Sequence, residues 1–154
     1  MGPSTSLPIG IALAAWLGAA ALAQAADQPH LFTAKELDAL AATRTAAQPS
    51  APVPTGPAAT VLIARRTADG EVEVHTKLAD ELIMREGHAR IRVGGTAAGQ
   101  RQTAPDEFRG GTITGGTVYD LSPGDVIYIP VGMPHQMLVA PGGSITYLAT
   151  KFPG

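Results

Sequence analysis

From Thr60 to the C-terminus the hydrophobic positions come in eight short runs, "TVLIAR", "EVEVHTK", "ELIMRE", "ARIRVGG", "GTVYDL", "DVIYIP", "HQMLVA" and "SITYLAT". Each is rich in β-branched, aromatic or aliphatic residues and is closed by Gly, Pro or Asp, the pattern of short strands. Eight such strands predict a barrel or sandwich. "SPGD", Ser122 to Asp125, places Pro and Gly at the centre of a type II turn, and "APGGS", Ala140 to Ser144, supplies a second tight turn. Tight connections make most strand pairs antiparallel. The segment from Gly94 to Gly111 is too long and polar for a hairpin turn, and is expected to fold as a loop over the mouth of the barrel.

The pattern differs before Thr60. Thr33 followed by Glu36 is a capping box, and Leu37 with Leu40 gives one apolar side to a helix running to about Thr45. Such a helix is expected against the outside of a sheet. Residues 46–59 hold four prolines and a glycine, which predicts a linker or wrapping arm outside any ladder. Further upstream, Leu7 to Ala23 carries no charge and leads into Ala23-Gln24-Ala25, a small-x-small site. This reads as an export signal cleaved after Ala25, although "MGPSTS" has no Lys or Arg and leaves the positive charge to the α-amino group. The alternative, a membrane anchor, has a run shorter than the ~20 apolar residues of a spanning helix. The expected organisation is therefore a signal peptide over 1–25, a helix and Pro-rich arm over 26–59, and a barrel over 60–154. It implies a periplasmic or secreted protein with no membrane partner after cleavage.

Composition narrows the picture. A chain of 154 residues, 45% hydrophobic and 16% charged, is the size of one domain with a single core, and 18 Gly and 13 Pro favour many turns over a helical bundle. A net charge of -2 without a Lys/Arg run argues against nucleic acid and anionic bilayers as partners. With no cysteine, stability rests on the core, on a metal or on an oligomer. Apolar residues on both faces of several strands point to a homodimer.

Two segments carry the chemistry. "GDVIYIPVGMPH", Gly124 to His135, resembles the second sequence motif of the cupin superfamily, with Val139 in place of its usual closing Asn. "HTKLADELIMREG", His75 to Gly87, resembles the first motif in part: His75 matches the first histidine, Lys77 replaces the second, and Asp80 replaces the usual Glu. The resemblance covers Thr60 to Phe152. It implies an all-β fold, a cupin-type jelly-roll barrel, here with a short N-terminal helix. It also implies a pocket in which His75, Asp80 and His135 are the candidate metal ligands and Lys77 joins them as a candidate ligand-binding residue.

Residue chemistry supports such a pocket and leaves its contents open. His75 and Lys77, two apart on a strand, project from one face, Asp80 lies at the following turn, and His135 follows the bends at Pro130 and Gly132. Two imidazoles and a carboxylate suffice for a divalent cation, Mn, Fe, Zn or Ni. Read alone, "EVEVHTK" also fits a polar-out strand with Val72 and Val74 inside. An inward Lys77 ~5 Å from a divalent ion would cost roughly 6 to 7 kcal/mol at an effective dielectric near 20. Lys77 then either replaces the metal charge by pairing with Asp80 or Glu73, leaving a metal-free pocket, or swings away. A Schiff-base role for Lys77 has no supporting constellation. The stripe His88, Arg90, Arg92 reads as a solvated face or an anion contact, His30 as a surface residue, and Tyr119, Tyr128 and Tyr147 as cavity or core. No phosphate loop, Cys/His cluster or Ser/His/Asp order is present. Three functions fit: an exported module binding a small polar or anionic molecule, a metal-dependent lyase, isomerase or oxygenase, and a structural or oligomeric envelope protein.

Overall fold

The computed structural model describes residues 29, 31–55 and 60–154. The proposed leader with its cleavage site and Trp16, His30, and residues 56–59 of the Pro-rich arm lie outside the described residues. Helix α1 (Ala34–Ala42) is followed by β1 (Ser50–Val53), β2 (Thr60–Arg66), β3 (Glu73–His75), β4 (Leu78–Glu86) and β5 (Ala89–Val93). Then come β6 (Thr96–Ala98), β7 (Arg101–Ala104), β8 (Glu107–Arg109) and β9 (Thr112–Thr114). The chain ends with β10 (Thr117–Leu121), β11 (Val126–Ile129), β12 (His135–Leu138) and β13 (Ile145–Pro153).

The strands form two principal sheets, ordered β1-β2-β13-β4-β11 and β10-β5-β12-β3-β8-β7, with a small β6-β9 ribbon. All pairs are antiparallel. This is the all-β architecture expected from the eight hydrophobic runs, and the jelly roll that the cupin resemblance implied. The period of two builds the core: Leu82 and Met84 of β4, Ile91 of β5, Met137 of β12 and Tyr147 of β13 belong to one buried cluster between the sheets. Each apolar side chain so buried is worth about 1.5–3 kcal/mol relative to exposure.

Both tight turns form as expected. Asp125 N–H donates to Ser122 O at 3.0 Å across a Gly124 with φ 93°, and Gly143 N–H donates to Ala140 O at 2.8 Å. Helix α1 opens on the reciprocal Thr33–Glu36 capping box. It lays Leu37 and Ala41 on Ala51, Val53 and Ile63, outside the first sheet, while Arg85 Nη2 donates to Asp38 Oδ1 at 2.8 Å.

Two expectations are corrected. Part of the Pro-rich arm does ladder: β1 pairs with β2 from Ser50↔Ala64 to Val53↔Val61. It lies at the sheet edge, where Pro52 lacks only a donor that no neighbour needs. The segment 94–111 is not a loop over the mouth. It builds β6, β7 and β8, and β8 pairs with β3 through Glu73↔Arg109 and His75↔Glu107. The turn between β7 and β8 uses Asp106 at φ 62°, a left-handed position that Asp tolerates better than most residues.

Candidate functional site

A cavity of about 190 Å³ lies between the two sheets. Its polar wall is built by β2, β3, β4, β8, β12 and β13 through Arg66, Glu73, Asp80, Arg109, His135 and Lys151. Alternation explains each inward side chain. On β4, Asp80 continues the inward row of Leu82 and Met84, and on β13, Lys151 continues that of Tyr147 and Ala149. Register then sets the pairs. Lys151 stands opposite Asp80, and His135 opposite Glu73.

Lys151 Nζ is the centre of the arrangement. It donates to Asp80 Oδ1 at 2.7 Å and Oδ2 at 2.9 Å, and it lies 2.8 Å from His75 Nε2. Asp80 Oδ2 also lies 3.3 Å from His75 Nε2 and 3.4 Å from His135 Nε2. His135 Nδ1 donates to Met133 O at 3.0 Å, since a carbonyl can only accept, and this turns Nε2 towards Asp80. Gly132 N–H donates to His75 O at 2.7 Å and ties the bend before β12 to β3. At the side, Glu73 Oε1 meets Arg109 Nη1 at 2.9 Å and Arg66 Nη2 at 3.5 Å, and Arg66 Nε donates to the buried Tyr147 hydroxyl at 2.8 Å.

Proton affinities follow from these contacts. Burial alone would raise the Asp80 carboxyl, but hydrogen bonds from His135 and His75 and the Lys151 charge hold it far below the usual carboxylate range. Burial also works against the Glu73 anion, and His75, Arg109, His135 and Arg66 overcome it, bringing the group down to about 2. For His75, burial and Lys151 oppose protonation while Asp80 and Glu73 favour it, and the carboxylates win, raising the group to about 9. The 2.8 Å contact between His75 Nε2 and Lys151 Nζ needs one of the two nitrogens bare.

Of the residues singled out from sequence, His75, Asp80 and His135 come together, all three buried. Lys77 does not join them. β3 ends at His75, the chain bends at Thr76 and Lys77, and strand parity no longer holds there. The Lys77 side chain is 75% exposed and pairs with Asp106 at 3.1 Å. The two inward residues two apart on the strand are thus Glu73 and His75, a pair two positions earlier than the His75 and Lys77 of the motif reading. Val72, just before β3, is buried.

The inward lysine is Lys151, together with Arg66 and Arg109, none of which the motifs contain. For Lys151 a signal existed: Tyr147, Ala149 and Lys151 share a period of two, so extending the last strand beyond Thr150 places the lysine inside. Arg109 had none, because its segment looked like a loop. His88 is exposed and faces Ser122 Oγ at 3.3 Å, while Tyr119 and Tyr128 lie on the surface.

Glu73, His75 and His135 each offer a ligand atom, and these atoms lie within 4.8 Å of one another. The donor types suit a divalent metal. The Lys151 ammonium, however, holds the ground in front of His75 Nε2 and Asp80, and in this arrangement a metal does not fit beside it.

No family model and no curated protein matches the chain. Among solved structures it is similar to BH2720 from Bacillus halodurans, at 18% identity and a TM-score of 0.57, covering 83% of this chain and 85% of that one. It is also similar to a conserved protein with a double-stranded β-helix domain from Klebsiella pneumoniae, at 15% identity and a TM-score of 0.57, covering 82% and 92%. The cupin domain of Schizosaccharomyces pombe Cnp3 aligns over 64% of this chain and 55% of that one, at 10% identity and a TM-score of 0.46. The chain has the double-stranded β-helix fold.

Proposed function

We propose that this cupin-fold protein is a metal-independent binding module that holds a small anionic molecule in its barrel. One observation carries the reading: a lysine ammonium, Lys151, is bonded to His75 and Asp80 where the candidate ligands converge. The cavity wall holds two guanidinium ions, Arg66 and Arg109, and one positive charge held between Lys151 and His75, whose contact leaves one nitrogen bare, against two carboxylates, Glu73 and Asp80. One positive charge is left for an incoming anion to neutralise in a site where solvent screens poorly. Arg66 also has spare donors, since its Nε and Nη2 make its hydrogen bonds among the described residues and Nη1 makes none. With the leader-like residues 1–25, the proposal is of a periplasmic or secreted protein.

A calorimetric titration of the purified protein with acetate and with inorganic phosphate tests this reading. Saturable binding that weakens at least tenfold in Arg66→Met and in Lys151→Met is expected. Absence of binding by these anions and by longer carboxylates alike overturns it. The second reading is a metal centre on Glu73, His75 and His135, with Asp80 freed and Lys151 withdrawn, and it is favoured by the 4.8 Å clustering of the three donor atoms. Stoichiometric Mn or Zn in the purified protein would put that reading first.

A further inference from the structure

We infer that the ligand is a small monocarboxylic acid with an apolar body, its carboxylate against the Arg66 and Lys151 side of the cavity and its hydrocarbon on the barrel floor. This inference rests on the anion-binding reading and names the class of ligand. Further along the same strands β2, β4, β12 and β13, away from the charged residues, the cavity is lined by Leu62, Leu82, Met137 and Ala149, with Ile91 of β5. These residues belong to the main core cluster or pack directly against it. Their side chains carry no hydrogen-bonding group apart from the weakly accepting Met137 sulfur.

Three features select among anions. The first is the distribution of polarity. Phosphate or sulfate carries oxygens in every direction, and those turned to the aliphatic floor would lose their water without a partner. A carboxylic acid keeps its oxygens at one end and offers hydrocarbon to the other. The second is charge. Three positive charges, one of them held between Lys151 and His75, against two carboxylates leave one unmatched, which a monoanion satisfies, whereas the second charge of a dianion would be buried without a counterion. The third is volume. An apolar cavity of about 150 Å³ holds benzene, and drug-sized ligands need upwards of about 300 Å³. At about 190 Å³, this cavity suits a ring or a short branched chain plus one carboxylate.

The test is a calorimetric series on the full chain with acetate, propanoate, butanoate, pentanoate, benzoate, benzamide and inorganic phosphate. Affinity should rise about fourfold with each methylene added from acetate to pentanoate, the transfer of one CH₂ out of water. Benzoate should bind at least tenfold more tightly than benzamide, its neutral isostere. Met137→Trp, which fills the floor, should flatten the series from acetate to pentanoate. Equal affinity along the wild-type series, or phosphate tighter than pentanoate, overturns the ligand class while the anion-binding reading stands. No binding of any acid or of phosphate overturns both. The wild-type series decides the matter by itself should Met137→Trp fold poorly.

Discussion

Replacing Lys151 with methionine should turn the pocket into a metal site. A divalent ion bound to His75 Nε2 sits about 2.1 Å from that nitrogen. Lys151 Nζ is 2.8 Å from the same atom, so the two cations are separated by at most about 4.9 Å. Even at that limit, their repulsion at an effective dielectric near 20 is about 7 kcal/mol. The cheaper course for the wild type is to withdraw Lys151 and break its pair with Asp80, at about 3–5 kcal/mol for a buried pair. The Lys151 side chain is 13% exposed and can reach water, which favours the lower figure. Removing the lysine spares the metal this cost, so Lys151→Met should bind Mn or Zn at least about a hundredfold more tightly than wild type.

Without metal, the same variant leaves Asp80 short of its cation and should lose about 3 kcal/mol, about 10 °C in Tm for a domain of this size. Lowering the pH should shrink that deficit, because the unpaired Asp80 can then take up a proton. Metal should restore the Tm, and adding His135→Ala should abolish the restoration. Calorimetry and thermal melts of wild type, single and double variants supply the readouts. Tight stoichiometric metal in the wild type, unchanged in Lys151→Met, would refute the reasoning.

Other predictions concern neighbouring groups. Lys77→His should leave metal affinity and ligand binding unchanged and alter stability by less than about 0.5 kcal/mol, because the side chain is on the surface; a tenfold rise in metal affinity would show that it reaches the pocket. Glu73 is lowered from 4.5 to about 2, so its contribution is present above pH 4.5 and lost as pH falls through about 2. Worth roughly 3 kcal/mol, it should disappear from the acid limb of a urea-stability profile in Glu73→Gln, and an unchanged limb would contradict the assignment. A stable dimer is expected at micromolar concentration, since Val118, Tyr119, Val126 and Tyr128 are exposed on β10 and β11, outer strands of the two principal sheets. Sedimentation should report twice the chain mass, and Val126→Glu with Tyr128→Lys should report a monomer. The exported form should begin at Ala26 by intact mass; a product still carrying Trp16 would rule that cleavage out.

The local pattern determined the elements. Eight hydrophobic runs became strands, the Thr33–Glu36 box became a helix start, and the Pro-Gly pairs became turns, because each of these is set by residues within a few positions of one another. The Gly124–His135 motif, with its bends before the histidine, likewise brought His135 inside. What the sequence left undetermined was which residues meet. Lys151 is 71 positions from Asp80 and reaches it only because β13 lies beside β4 in one register. A one-residue slip would turn it outward. Lys77 sits close to His75 in the chain yet leaves the pocket, because β3 ends at His75 and the backbone bends before the alternation can continue. Arg109 reaches Glu73 through the pairing of β8 with β3, a non-local contact that a polar, Gly-rich segment does not announce. Element identity is a property of short stretches of chain, whereas the charge balance of the cavity depends on strand order and register, and these are set by the packing of the whole barrel.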